Sequence, residues 1–85
     1  MGSSIGVEAE TRLSDIQAIE RKVLLKARDA DLDIAILLVA ETRANREILE
    51  LHREALRSSF PLDTREVMAA ITKGTPPRAN GIVVL

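Results

Sequence analysis

Ile34-Ala35-Ile36-Leu37-Leu38-Val39-Ala40 is an unbroken apolar run with no alternation of polar and apolar positions. It is too short to stand as a helix and rich in β-branched residues, the pattern of a strand covered on both faces. A strand of that kind belongs at the centre of a sheet with helices packed on either side, so this run alone points to an α/β layer structure.

The flanking segments supply the layers. Upstream, Ile16, Ile19, Val23 and Ala27 recur at helical spacing opposite Glu20, Arg21 and Lys22, until Asp29 to Asp33 breaks the pattern. Ser14-Asp15-Ile16-Gln17 has the Ser-x-x-Gln form of a capping box and predicts the helix start. Before it, Ile5 to Glu10 reads as a short strand.

Downstream, Thr42 can cap a second helix whose buried stripe is Ile48, Leu49 or Leu51, Ala55 and Leu56. Its wet face carries Arg43, Arg46, Glu47, Glu50, Arg53, Glu54 and Arg57, several of them at i, i+3 or i+4 spacing. Phe60-Pro61-Leu62 ends that helix, and Asp63-x-x-Glu66 opens a shorter one with Val67, Met68 and Ile71 directed inward and Lys73-Gly74 at its close. Thr75 to Asn80 is a connecting loop, with Pro76-Pro77-Arg78 readable as a docking element or as a plain connector, and Gly81 to Leu85 is a last strand. The expected order is β-α-β-α-α-β: a small, mainly parallel three-stranded sheet with three helices and right-handed crossovers.

At 85 residues the chain is one small domain, 1–85, with residues 1–4 a tag remnant or flexible start. Phe60 is the sole aromatic residue, so aliphatic side chains fill a small core and a partner or second copy would add stability. A formal net charge of -1 argues against nucleic-acid binding by bulk positive charge. The absence of cysteine excludes disulfides and thiolate metal sites and fits a reducing compartment. No run approaches the roughly 20 apolar residues of a membrane span, and no basic-then-apolar leader is seen, so the expected location is cytoplasmic with no membrane contact. His52 lies among helix charges and reads as a solvated or partly packed side chain rather than a ligand.

Candidate chemistry is concentrated in Val7-Glu8-Ala9-Glu10-Thr11-Arg12. Residues two apart on a strand share a face, so Glu8 and Glu10 stand side by side while Val7 and Ala9 point the other way. That arrangement holds a cation, and it is equally the wet face of an ordinary strand. Ala-Glu-Thr-Arg occurs at 9–12 and again at 40–43, each time between a strand and a helix. The echo brings Glu10 and Glu41, with their arginines, to the carboxyl edge of the sheet, where open α/β sheets keep their sites.

The segments Val7 to Lys22 and Leu37 to Arg46 resemble the C-terminal region of bacterial helix-turn-helix (XRE-type) transcriptional regulators, a region similar in turn to the restriction-endonuclease-like, or PD-(D/E)XK, fold. The resemblance runs from about Ile5 to Leu85 and makes this chain look like the later half of that fold. It implies a metal site of an Asp on an earlier strand and a Glu-x-Lys on the next, with Mg²⁺ activating water. Glu8 matches the Glu and Glu10 falls at the Lys position, while Gln17 and Lys22 on the following helix can face the site. Glu8 and Glu10 are thus the implied metal ligands, and Glu8, Glu10, Gln17 and Lys22 the implied catalytic set.

Two departures weaken that chemistry. Glu10 replaces a lysine, and only four residues precede Ile5, leaving no strand for the first Asp. Mg²⁺ held by two adjacent carboxylates and water is bound weakly. Lys22 or Lys26 can replace the missing cation, but the two lie one turn apart. The expectation is a nuclease-like domain of a DNA-associated regulator, noncatalytic alone and acting in association as a homodimer or with a partner protein, DNA being reached through a helix-turn-helix half outside these residues. The alternative is a purely structural homo-oligomerisation module with no metal or nucleic-acid role. A third reading is a metal-dependent nuclease completed by a partner chain.

Overall fold

A computed structural model describes residues 4–85, so the reading of residues 1–4 falls, for Met1, Gly2 and Ser3, outside the described residues. The elements are β1 (Ile5–Glu10), α1 (Ile16–Asp29), β2 (Ile34–Val39), α2 (Arg43–Leu51), α3 (Arg53–Ser59), α4 (Thr64–Lys73) and β3 (Gly81–Val84). The sheet order is β1-β2-β3 and both pairings are parallel. The α/β class and the parallel three-stranded sheet are as the sequence predicts.

β2 is central, and its two faces carry separate cores. Ala35, Leu37 and Val39 meet Leu13, Ile16, Ile19 and Val23 from the α1 side and Leu56 and Phe60 from α3 and its end. Ile34 and Ile36 meet Leu62, Val67 and Val83 beneath α4. This is why the run at 34–40 has no alternation: both sides of the strand are covered.

Three sequence readings are corrected. The expected second helix is two helices, making four among the described residues, because the chain breaks at His52, which ends α2 and begins α3 with φ −105° and ψ 17°. The break separates Ile48 and Leu49, which pack from α2, from Leu56 and Phe60, which pack from α3 and its end; Leu51 is left 79% exposed and Ala55 is also exposed. The cap of α1 is Asp15, not Ser14: its carboxylate accepts from the Ala18 amide at 3.1 Å. An ionised acceptor also complements the helix dipole better than a hydroxyl, and with Ala18 at N3 no reciprocal box forms with Gln17. In α4 only Val67 is buried, while Met68 and Ile71 are exposed, because the helix packs chiefly over β3.

The remaining caps follow the sequence. Thr42 accepts from Asn45 N at 3.1 Å to open α2, and Asp63 and Glu66 form a reciprocal capping box at α4. Gly74 closes α4 in the left-handed region at φ 75°, where a side chain would be strained. Pro77 is buried and Arg78 reaches Glu66 at 3.4 Å, so the prolines belong to a connector packed onto α4.

Close approach at β3 depends on Gly81. A Cβ there would meet the Val67 side chain and lie 3.0 Å from the Leu62 carbonyl oxygen. The same Leu62 forms an isolated parallel bridge to Gly81, and the Thr64 hydroxyl accepts from Val84 N at 2.9 Å. The outer edge of β3 is thereby occupied by the chain itself.

Candidate functional site at the outer face of the first strand

The alternation along β1 places Gly6, Glu8 and Glu10 on the α1 face and Ile5, Val7 and Ala9 on the face shared with α4, in register with Ile34, Ile36 and Leu38. Glu8 and Glu10 therefore stand side by side as the spacing predicts, partly covered by α1. Each has its own cation. Lys22 donates to Glu10 Oε2 at 2.9 Å, and Lys26, one turn further along α1, donates to both carboxylate oxygens of Glu8 at 3.2 Å. Both lysines face the strand, which answers the choice the sequence left open. The Glu10 contact, with the charges of Glu10 and Glu8, holds the Lys22 ammonium above its usual pKa.

This pairing gives the carboxylates a structural role. A divalent cation entering here would have to displace two ammonium groups as well as shed water. Gln17 lies exposed in the first turn of α1, and no hydrogen bond joins it to Glu8 or Glu10. Among the described residues, no group of three or more His, Cys, Asp or Glu is placed to hold a metal ion.

The two Ala-Glu-Thr-Arg turns do meet at the carboxyl edge of the sheet, as Ala40 N donates to Glu10 O at 3.1 Å. Their side chains do not converge on one site. Glu41 is held by Arg46 through the guanidinium Nε and Nη2, which pulls its carboxyl below the usual range, and Arg43 lies 3.6 Å from Glu47.

What joins the turns is Asn45, a residue the sequence reading did not single out. It is 1% exposed, accepts from Leu13 N at 2.9 Å, and donates to Thr11 O at 3.0 Å and Ala40 O at 2.9 Å. Its amide spans both strand-to-helix turns and satisfies backbone groups that neither sheet nor helix reaches. The available signal was its place three residues after the Thr42 cap, where an amide side chain can turn back toward the strand ends.

A cleft of about 260 Å³ lies at the opposite edge of the sheet, floored by Leu49, Leu56, Phe60 and Ile82 with Arg53 and Arg57 on its rim. Of its three acidic residues, Glu50, Asp63 and Glu66, the last two are engaged in the α4 cap, and Glu66 also meets Arg78. It contains no assembled nucleophile and base.

A further open surface is the outer side of β1. The strand is at the sheet edge, and on its uncovered face Ile5 is 42% and Val7 62% exposed, with Ala9 exposed beside them. Edge strands are ordinarily blunted by charged side chains, proline, a bulge, very short length or covering chain. β1 has six residues paired without a bulge and no proline, and its two charges, Glu8 and Glu10, lie on the α1 face, each paired with a lysine. Its surface is suited to main-chain pairing and apolar contact. No protein-family model, curated protein or solved structure matches this chain.

Proposed function

We propose that this chain is a noncatalytic association domain of nuclease-like type, serving a cytoplasmic, DNA-associated regulator. The observation that carries the proposal is the outer side of β1, a strand edge that no other described strand or loop pairs with, beside the exposed apolar row of Ile5, Val7 and Ala9. A site for the completing strand or chain is what an association domain needs, and the resemblance to the later half of the nuclease-like fold supports it. The lysine partners of Glu8 and Glu10 support the noncatalytic part, since the charges that would attract Mg²⁺ are already balanced. DNA contact belongs, on this reading, to a helix-turn-helix half rather than to these residues.

Thermal unfolding at two protein concentrations, each with EDTA or with millimolar Mg²⁺, tests the reading beside Glu8→Ala. A midpoint that rises with protein concentration and ignores the metal supports association, because a partner that binds only the folded form stabilises by mass action. A midpoint that rises with Mg²⁺, and no longer does so in Glu8→Ala, overturns it in favour of a metal site.

A further inference from the structure

We propose that the occupant of the β1 edge is the β1 of a second copy, joined antiparallel about a two-fold axis at Val7 to give a six-stranded sheet. The inference rests on the association reading above and adds partner, direction and register to it.

The backbone hydrogen bonds to β2 fix which groups remain free. Glu10 O accepts from Ala40 N and Ser4 O from Ile34 N, each bond running to the residue after the register partner. Even-numbered residues of β1 therefore turn both backbone groups toward β2, and Ile5, Val7 and Ala9 turn theirs to the open side. An antiparallel partner centred on Val7 sets Val7 against Val7 and Ile5 against Ala9. Every outward N–H and C=O of those residues is then in a hydrogen-bonded pair.

Other registers do worse. Sliding the partner so that Val7 faces Ala9 leaves Ile5 without a partner in the strand and puts Glu8 directly opposite Glu8, two like charges face to face. Sliding it the other way, so that Val7 faces Ile5, leaves Ala9 with no partner inside the six-residue strand. In the Val7-centred register Glu8 faces Gly6, which has no side chain, and Glu10 faces Ser4. The side chains are also matched in size, with large Ile5 beside small Ala9 and the apolar rows of both copies flank to flank on the uncovered face. The β3 edge offers no such surface, since Leu62 and Thr64 occupy it.

The chain contains no cysteine, so single-cysteine variants report the register directly. Facing residues of a hydrogen-bonded pair have Cα atoms about 5.5 Å apart, within disulfide reach. Residue 5 would lie about 14 Å from residue 5 of the other copy, out of reach. Under mild oxidation Val7→Cys should form a covalent dimer, Ile5→Cys and Ala9→Cys alone should not, and the double variant Ile5→Cys/Ala9→Cys should. Val7→Pro, which deletes an outward N–H without touching the β2 ladder, should keep the native circular dichroism and sediment as a monomer. A wild-type dimer that cross-links equally through Ile5→Cys, or that survives Val7→Pro, overturns the register while the association reading stands. A wild-type chain that sediments as a monomer at every concentration overturns self-pairing and leaves the edge to a strand from another protein or from a longer chain.

Discussion

Asn45 holds more of the fold than any other polar side chain, because it is 1% exposed and makes three hydrogen bonds to backbone groups of two separate turns. Asn45→Ala leaves the Leu13 amide and two carbonyl oxygens without this partner, and a buried orphan group costs about 1–3 kcal/mol. Urea unfolding of Asn45→Ala should show a loss of about 3 kcal/mol, large for a chain of this length. Asn45→Asp should be no better, since it sets a carboxylate oxygen against two carbonyls. Gly81→Ala tests a different constraint. The new methyl group meets Val67 and the Leu62 carbonyl, so a loss of about 1–3 kcal/mol is expected from overpacking. In sequence the two residues were unequally legible. Gly81 marked a strand start, whereas Asn45 looks like one more polar residue on a charged helix, and only the meeting of two distant turns gives it its work.

Among the elements, the helix caps and the ion pairs carry separable contributions. Asp15→Ala should destabilise by about 1 kcal/mol, as expected for a lost N-cap, while Ser14→Ala changes little; thermal melts of the two variants decide between the caps. The Glu41 carboxyl is held below its ordinary range by Arg46, so the stability it contributes is present above the unfolded-state pKa and is lost as pH falls through the lowered folded value. Glu41→Gln should lower stability slightly at neutral pH and flatten the acid side of the profile, the variant and wild-type curves converging as pH falls below the ordinary glutamate range. For Lys22 the sign is opposite: its contribution is present below the ordinary lysine range and disappears as pH rises through the raised value. Most elements were legible because periodicity and caps agree, as at Thr42, Asp63 and the run 34–40. The break at His52 was not, since no proline, glycine or cap residue announces it and it follows from how α2 and α3 meet the core. The open face of Met68 and Ile71 was hidden for a similar reason: helical spacing tells which residues share a side, not how far the sheet beneath extends.

For the whole molecule, two apolar faces of one central strand are covered to different extents. On the α1 face Glu8 and Glu10 are partly buried and paired with lysines of α1, while on the α4 face Ile5, Val7 and Ala9 are exposed. The Cα radius of gyration, 12.3 Å, is close to the roughly 12 Å expected for a folded domain of this length, so the bare row belongs to a collapsed molecule. Dilution should therefore lower the melting midpoint of the wild type, and Val7→Lys should remove that dependence while retaining the fold, as circular dichroism and calorimetry would show.

The parallel pairing of all three strands also governs how the chain reaches this state. The Ser4–Asp33 and Ala35–Asn80 hydrogen bonds bridge 29 and 45 positions of sequence, and no hairpin provides a nearby start for the sheet. Loop closure must come before any strand-pairing gain, which slows assembly relative to a helical bundle of similar length. Throughout that search the 34–40 run and the edge of β1 are open to collision with other chains. Refolding yield should consequently fall as concentration rises, even under conditions where the finished molecule is stable.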